Sequence, residues 1–444
     1  MSSEQNIMGT MAMRRLVLHM SWPIMLSMLM QAVYNLVDSI FVARISDEAF
    51  LALSYAYPIQ TLLIAFCVGI GVAFSATLSN RLGQRRMEDA NSVVVHGFIL
   101  FLSCWLLFFL FGLFGTPAFL DSCTDNPTVI GMGITYLRIC CCFSFGICIQ
   151  FPIERTLQAT GHPAGFMIVQ GSGALINLVL DPIFIFGLDM GVTGAAVATV
   201  IGQISGACLG LFLLYRIRNQ FRVSFRGFRF HGLLVKEMAA IAIPAILMQS
   251  LASIMSLGLN NILRLWSETA VWVLGAYFKI QSFVFMPVYS INNALIAIIS
   301  YNYGADKKHR AESAIHVGML MALVISTLGC ILLWIAAGPL LTVCFDAGAE
   351  ALALGVPSLR FTALAFPVAV VSIILSAAFQ SLGYSRYSLV ISLLRYVILL
   401  LPVALVFVWV APAQVFLSFL ITEAATTAVA LVMFRIVRRK TLQA

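Results

Sequence analysis

Four residues carry the types and spacing that could do chemistry: Asp38, Asn177, Asp181 and Thr199. Asp38 lies in "AVYNLVDSIFVARIS" (32–46) and Asp181 in "NLVLDP" (177–182), both otherwise apolar. A charge held in hydrocarbon costs ~2.5–3.5 kcal/mol on insertion scales, so it is either compensated or used. Asn177 and Asp181 are four residues apart and share one helix face. Pro182 follows directly, removes a backbone donor, and is predicted to bend its helix and free a carbonyl beside the carboxylate. Two carboxylates in one poorly solvated site rarely stay both ionised and unpaired. They can take up a proton or, with the oxygens of Asn177 and Thr199, hold a bare Na⁺. The plain alternative is that each acid hydrogen-bonds a neighbouring helix, for ~0.6 kcal/mol.

Position along the helices favours use. Asp38 lies five residues before Ala43 and Asp181 six before Gly187, the expected outer ends of their segments. At ~1.5 Å per residue both sit roughly 8–9 Å below the outer boundary. Thr199, seven residues in from Val192, reaches about the same depth.

The elements that hold these residues are membrane helices. The chain is 61% hydrophobic and 10% charged, against about 25% charge in soluble domains. Twelve apolar segments, each about 20 residues or longer, can cross the roughly 30 Å hydrocarbon layer as helix. They run over 16–43, 52–79, 92–115, 129–151, 163–187, 192–215, 238–264, 272–302, 313–338, 356–379, 387–410 and 413–436. Continuous apolar runs exclude a β-barrel, whose strands alternate.

The net charge of +8 does not point to nucleic acid, because the cations fall in alternate loops. They include Arg14 and Arg15, Arg81, Arg85 and Arg86, Arg155, the run Arg216, Arg218, Arg222, Arg226, Arg229 and Lys236, then Lys307, Lys308 and Arg310, Arg386, and Arg435 to Lys440. The intervening loops carry acids, among them Glu48, Asp121, Asp189, Asp346 and Glu350. This is the positive-inside pattern, and with an even helix count it puts both termini of a multi-pass membrane protein in the cytoplasm. Ten cysteines, mostly within helices, show no metal-type spacing and read as small packing residues.

The halves repeat in register. Pro23 matches Pro244, Gln60 matches Gln281 and Gly83 matches Gly304 at one constant shift. "LQATGHP" (157–163) matches "FQSLGYS" (379–385). The expected fold is all-α, with two six-helix lobes, 1–224 and 225–444, related by a parallel repeat. Transporters use such duplication to place a site between lobes that rock against each other.

Other polar residues fall within the segments. Glu423 and Arg395 both reach the midplane and can pair, as structural glue or as a substrate contact. Lys279, Arg138 and Arg360 are expected to snorkel to the interface. Asn260, Asn261, Asn292 and Asn293 are expected to bond between helices, with cavity lining as the lesser reading. Met28, Met30, Met255 and Phe283 suit an adaptable apolar pocket.

These residues together resemble a family. Two parallel six-helix lobes of this length, Pro23 with Asp38 fifteen residues on, "NLVLD", and Thr199 in the sixth segment are similar to the MATE (multidrug and toxic compound extrusion) transporters of the MOP flippase superfamily. "SNRLGQRRMEDA" and "YFKIQSFVFMPVYSINNALIAIISYNYGA" resemble its MepA-like branch. The resemblance implies that Asp38, Asn177, Asp181 and Thr199 form a site for H⁺ or Na⁺, with Tyr34 beside it and a helix bend at Pro23 linked to protonation. Some branches carry acids in the seventh and tenth segments; here the seventh has Asn260 and Asn261 and the tenth has none. The resemblance thus implies a cation-coupled antiporter, not an enzyme, exporting lipophilic, mostly cationic small molecules. Tyr34, Met255, Phe283, Asn292 and Glu423 are the expected substrate contacts. No cofactor beyond the coupling ion and no nucleic acid is expected, and a monomer is. The alternative is a flippase or exporter for a lipid-linked precursor or other metabolite. That reading wants a basic cavity, which the few in-membrane cations do not supply.

Overall fold

A computed structural model describes residues 6–218, 221, 223–224, 229–345 and 347–442, apart from the side chains of residues 36, 39, 40, 43 and 47. Arg222, Arg226 and Asp346 lie outside the described residues. The described chain is helical, with no strand among the described residues. Its spans are α1 (Met13–Ala43), α2 (Asp47–Gly83), α3 (Met87–Asp121), α4 (Pro127–Cys142 with Phe145–Ala159), α5 (Pro163–Gly187) and α6 (Gly191–Arg216). The second set is α7 (Gly232–Arg264), α8 (Glu268–Gly304), α9 (Lys308–Phe345), α10 (Ala349–Leu364 with Phe366–Ser381), α11 (Ser385–Val410) and α12 (Leu417–Leu442). Among the described residues, ten helices are long and apolar enough to cross a membrane, and the bent pairs α4 and α10 bring the number to twelve when each is one span. Those bends, 42° in α4 and 44° in α10, were not legible as breaks in the apolar runs.

The repeat is visible in local geometry. Ser46 and Ser267 accept hydrogen bonds from the backbone N–H of Ala49 and Ala270. Each satisfies an orphan donor at the start of a 37-residue helix, α2 and α8. Both helices end on a non-glycine residue in the left-handed region, Arg85 at φ 60° and Asp306 at φ 55°. The next N–H in each closes back on the helix, Arg86 onto the Arg81 carbonyl and Lys307 onto the Asn302 carbonyl. Gly161 (φ 85°) and Gly383 (φ 83°) close α4 and α10 in the same way, with His162 bonding the Leu157 carbonyl and Tyr384 that of Phe379. These are Schellman endings, and glycine takes that backbone region without a Cβ penalty.

The chain divides into two compact units. One comprises Met1–Thr10 with Trp22–Ala242, and the other Met11–Ser21 with Ile243–Ala444. Both divisions fall inside a helix beside an interior proline, Pro23 of α1 and Pro244 of α7. At Pro23 the helix lacks one backbone donor, and the Ser27 hydroxyl donates to the Pro23 carbonyl at 2.9 Å. Proline and such a back-bonded serine both favour bending.

In the first unit α5 and α6 pack at glycine contacts. A Cβ on Gly202 would stand 2.6 Å from the Gly173 carbonyl oxygen, and one on Gly194 would stand 2.8 Å from the Phe184 backbone. Gly206 and Gly210 continue the stripe at four-residue spacing against α4 and α5. Small residues let helix backbones approach where no hydrophobic driving force separates protein from lipid. In the second unit Tyr277, Phe285 and Phe366 pack ring on ring, with centroids 6.4 Å apart for Tyr277–Phe366 and 5.1 Å for Phe285–Phe366.

Candidate cation-coupling site

The glycine contact between α5 and α6 sets the geometry of the site. With Gly202 against Gly173, Asn177 lies one turn along α5 and faces Thr199 of α6. The Asn177 amide Nδ2 donates to Asp181 Oδ1 at 3.3 Å and reaches Thr199 Oγ1 at 3.4 Å. The Thr199 hydroxyl donates to its own helix, to the Ala195 carbonyl at 3.0 Å. Asn177 and Asp181 are buried, at 3% and 0% exposure. At Pro182 the α-helical winding of α5 ends and one π-helical turn follows over Ile183–Gly187. Such turns recur at functional sites.

The α1 helix brings its residues to α5. Gln170 donates to Gln31 at 2.9 Å, Met30 lies against Gly171, and the Phe41 and Phe186 rings meet edge to face at 6.1 Å. Between these contacts lie Tyr34 and Asp38, close enough to Asp181 to interact with it electrostatically. Among the described residues, three buried oxygens of the group have no hydrogen-bond partner: Asp38 Oδ1, Asp181 Oδ2 and Asn177 Oδ1. Buried polar atoms are normally paired, so such a cluster calls for an occupant. Carboxylate, amide and hydroxyl oxygens together suit a proton or a hard cation.

A cavity of about 70 Å³ opens beside this group, lined among others by Gln31, Tyr34, Gln150, Glu154, Asn177 and Thr199. It has room for several waters, each needing about 10–15 Å³.

The MatE family model matches residues 23–183 and again 244–406. The chain belongs to the MatE family. Both matched stretches begin at the repeat prolines, Pro23 and Pro244. It is a multi-pass membrane protein of a transporter family that acts on small molecules. Among curated relatives, a protein named FAD transporter from Shewanella oneidensis is 27% identical over 401 residues, 88% of this chain and 87% of that one. Multidrug export protein MepA of Staphylococcus saprophyticus is 22% identical over 388 residues, 86% of this chain and 85% of its own. Among solved structures, an outward-facing multidrug resistance MATE family transporter of the MOP superfamily matches with a TM-score of 0.93 at 23% identity, over 100% of this chain and 99% of that one. A MOP superfamily transporter from Pyrococcus furiosus matches at 0.92 and 23% identity over 100% of both chains. These structural likenesses concern the fold.

The MatE chain also holds polar residues that the sequence reading misplaced. Arg155 was expected among the loop cations, but α4 runs on to Ala159 and buries it at 6% exposure. Its guanidinium donates to Gln158 at 3.1 Å and lies 5.6 Å from the Phe166 ring centre. Glu154, at 2% exposure, faces the cavity and accepts from the Gln150 amide at 2.7 Å. The apolar run ends at residue 151, yet the helix does not, because its polar side chains are buried against one another rather than against lipid. The signal was there: Gln150, Glu154 and Gln158 recur every four residues, on one face.

The remaining expected contacts belong to the second unit. Glu423 pairs with Arg395 at 2.6 Å, each side chain 9% exposed, and Glu423 Oε2 has no hydrogen-bond partner among the described residues. Arg395 sits in a π-helical turn of α11, Leu394–Ile398. Asn292 donates to the Ile373 carbonyl at 2.8 Å and braces α8 to α10. Phe283 is 60% exposed and Met255 half-buried.

Proposed function

We propose that this MatE protein is a secondary antiporter that exports lipophilic organic cations in exchange for H⁺ or Na⁺. The observation that carries the reading is the group in the first unit: two carboxylates, an amide and a hydroxyl, with three buried oxygens lacking partners among the described residues. Neutralising Asp38 and Asp181, by a proton or a bound cation, removes the repulsion between them and lets Asn177 and Tyr34 re-pair. The α1 helix, which carries Asp38, responds at Pro23, where a backbone bond is already absent. An organic cation and the coupling ion compete for the same carboxylates, which is the basis of exchange. Beside these two carboxylates, Glu154 places a third in the adjoining cavity. Relatives named as multidrug export proteins support the substrate class.

A second reading, export of an anionic nucleotide-like metabolite, has its support in the relative named FAD transporter and in the buried Arg395. The test separates the two. Efflux of a fluorescent lipophilic cation and of a flavin nucleotide is followed from proteoliposomes under an imposed pH gradient or Na⁺ gradient, with wild type beside Asp38→Asn. Cation efflux driven by one gradient and lost in a folded Asp38→Asn supports the antiporter and names the ion. Flavin efflux without cation efflux rejects it, and so does full coupled transport by Asp38→Asn.

A further inference from the structure

We propose that Cys67, Cys104 and Cys148 form a three-thiol binding site for a soft, thiophilic metalloid ion, trivalent arsenic. The three come from α2, α3 and α4, far apart in sequence, and their sulfurs all lie within 4.8 Å of one another. Cys67 Sγ and Cys148 Sγ are 4.0 Å apart. All three are buried, at 0%, 5% and 0% exposure, and none is in a disulfide.

The convergence is built by packing. A Cβ on Gly97 would stand 2.1 Å from the Phe74 ring, so α3 lies directly on α2 there. Cys104 is two turns along α3 from Gly97, and Cys67 two turns back along antiparallel α2 from Phe74. That register puts the two thiols opposite each other. The α4 helix closes the third side, with Phe151 6.1 Å from Phe101 between ring centres and also touching the Gly71 position. Cys148 stands about one turn before Phe151, as Cys67 does before Gly71. The adjacent Cys140, Cys141 and Cys142 cannot do the same, because successive side chains on one helix diverge by about 100°.

Soft sulfur ligands select soft ions. Burial among apolar helices penalises any charge left after binding. Arsenous acid meets both conditions. As(OH)₃ reacts with three thiols to give As(SR)₃ and three waters; three As–O bonds break, three As–S bonds form, and each thiol proton leaves with a hydroxyl. No electrons are transferred, and reactants and product are uncharged. A monovalent or divalent ion on three thiolates leaves net negative charge in the same place.

The test uses the reduced full-length protein in detergent micelles, incubated with sodium arsenite and desalted. Bound arsenic is counted by mass spectrometry, and its ligands are read by X-ray absorption at the arsenic edge. The expected result is one arsenic per chain with three sulfur neighbours. Cys67→Ala, Cys104→Ala and Cys148→Ala should each lower retention by at least the roughly 10–100-fold that loss of mere outer-shell support costs a metal site. Cys141→Ala and Cys208→Ala should retain it. No retention by wild type overturns the proposal, as does an oxygen shell, fewer than three sulfurs, or loss that follows Cys141→Ala instead. The wild-type spectrum needs no variant to fold.

Discussion

Gly202→Ala is the sharpest test of how the site is positioned. The new methyl would stand 2.6 Å from the Gly173 carbonyl oxygen and 3.1 Å from Asn177 Cβ. Ordinary contact begins at 3.4 Å, so the backbone clash alone is 0.8 Å too close. The atom in the way is backbone, so a rotamer change does not relieve it. Helices α5 and α6 must separate, and such overpacking costs ~1–3 kcal/mol. The Asn177–Thr199 contact is already long at 3.4 Å. A separation of that size takes it beyond hydrogen-bond range, for a further ~1 kcal/mol. Thermal unfolding in detergent should therefore shift down, and gradient-driven efflux should fall more than substrate binding does. Gly275→Ala is the control, since nothing lies within 4 Å of its added Cβ; it should match wild type. A Gly202→Ala protein with wild-type melting and wild-type coupled efflux would refute the reasoning, by showing that this contact is soft.

Glu154→Gln keeps the side-chain shape but removes a carboxylate from the cavity. It should weaken apparent affinity for a cationic substrate roughly tenfold, the equivalent of ~1.4 kcal/mol, and leave a neutral substrate unaffected in the same efflux assay. Glu423→Gln leaves Arg395 buried without its counter-charge and should cost ~3–5 kcal/mol in thermal unfolding, while Arg395→Leu with Glu423→Leu should restore most of it. Gly383→Ala meets no atom within 4 Å but holds φ at 83°, so it isolates backbone strain and should cost ~1–2 kcal/mol in the same melt.

The candidate site was legible because charge in hydrocarbon is expensive. Asp38 and Asp181 stood out from their apolar runs, and depth counted along a regular helix aligned them with Thr199. Glu154 did not stand out, because the apolar run ended before it and a polar stretch reads as a loop. The bends in α4 and α10 were equally hidden, since they leave hydrophobicity unchanged on both sides. The cysteines show the same limit: chain spacing signals a metal site only when ligands are local.

By itself the sequence determined the number of spans, the repeat, and the acids that must be explained. Those follow from one-dimensional properties: apolar length against bilayer thickness, identity at a constant shift, and the cost of a buried charge. Tertiary structure alone decided that Asn177 bridges Asp181 and Thr199, and that three helices bring three sulfurs together. Each of these depends on where two backbones touch, at Gly173 and Gly202 or at Phe74 and Gly97. That choice among small residues is made by packing, which no local pattern encodes.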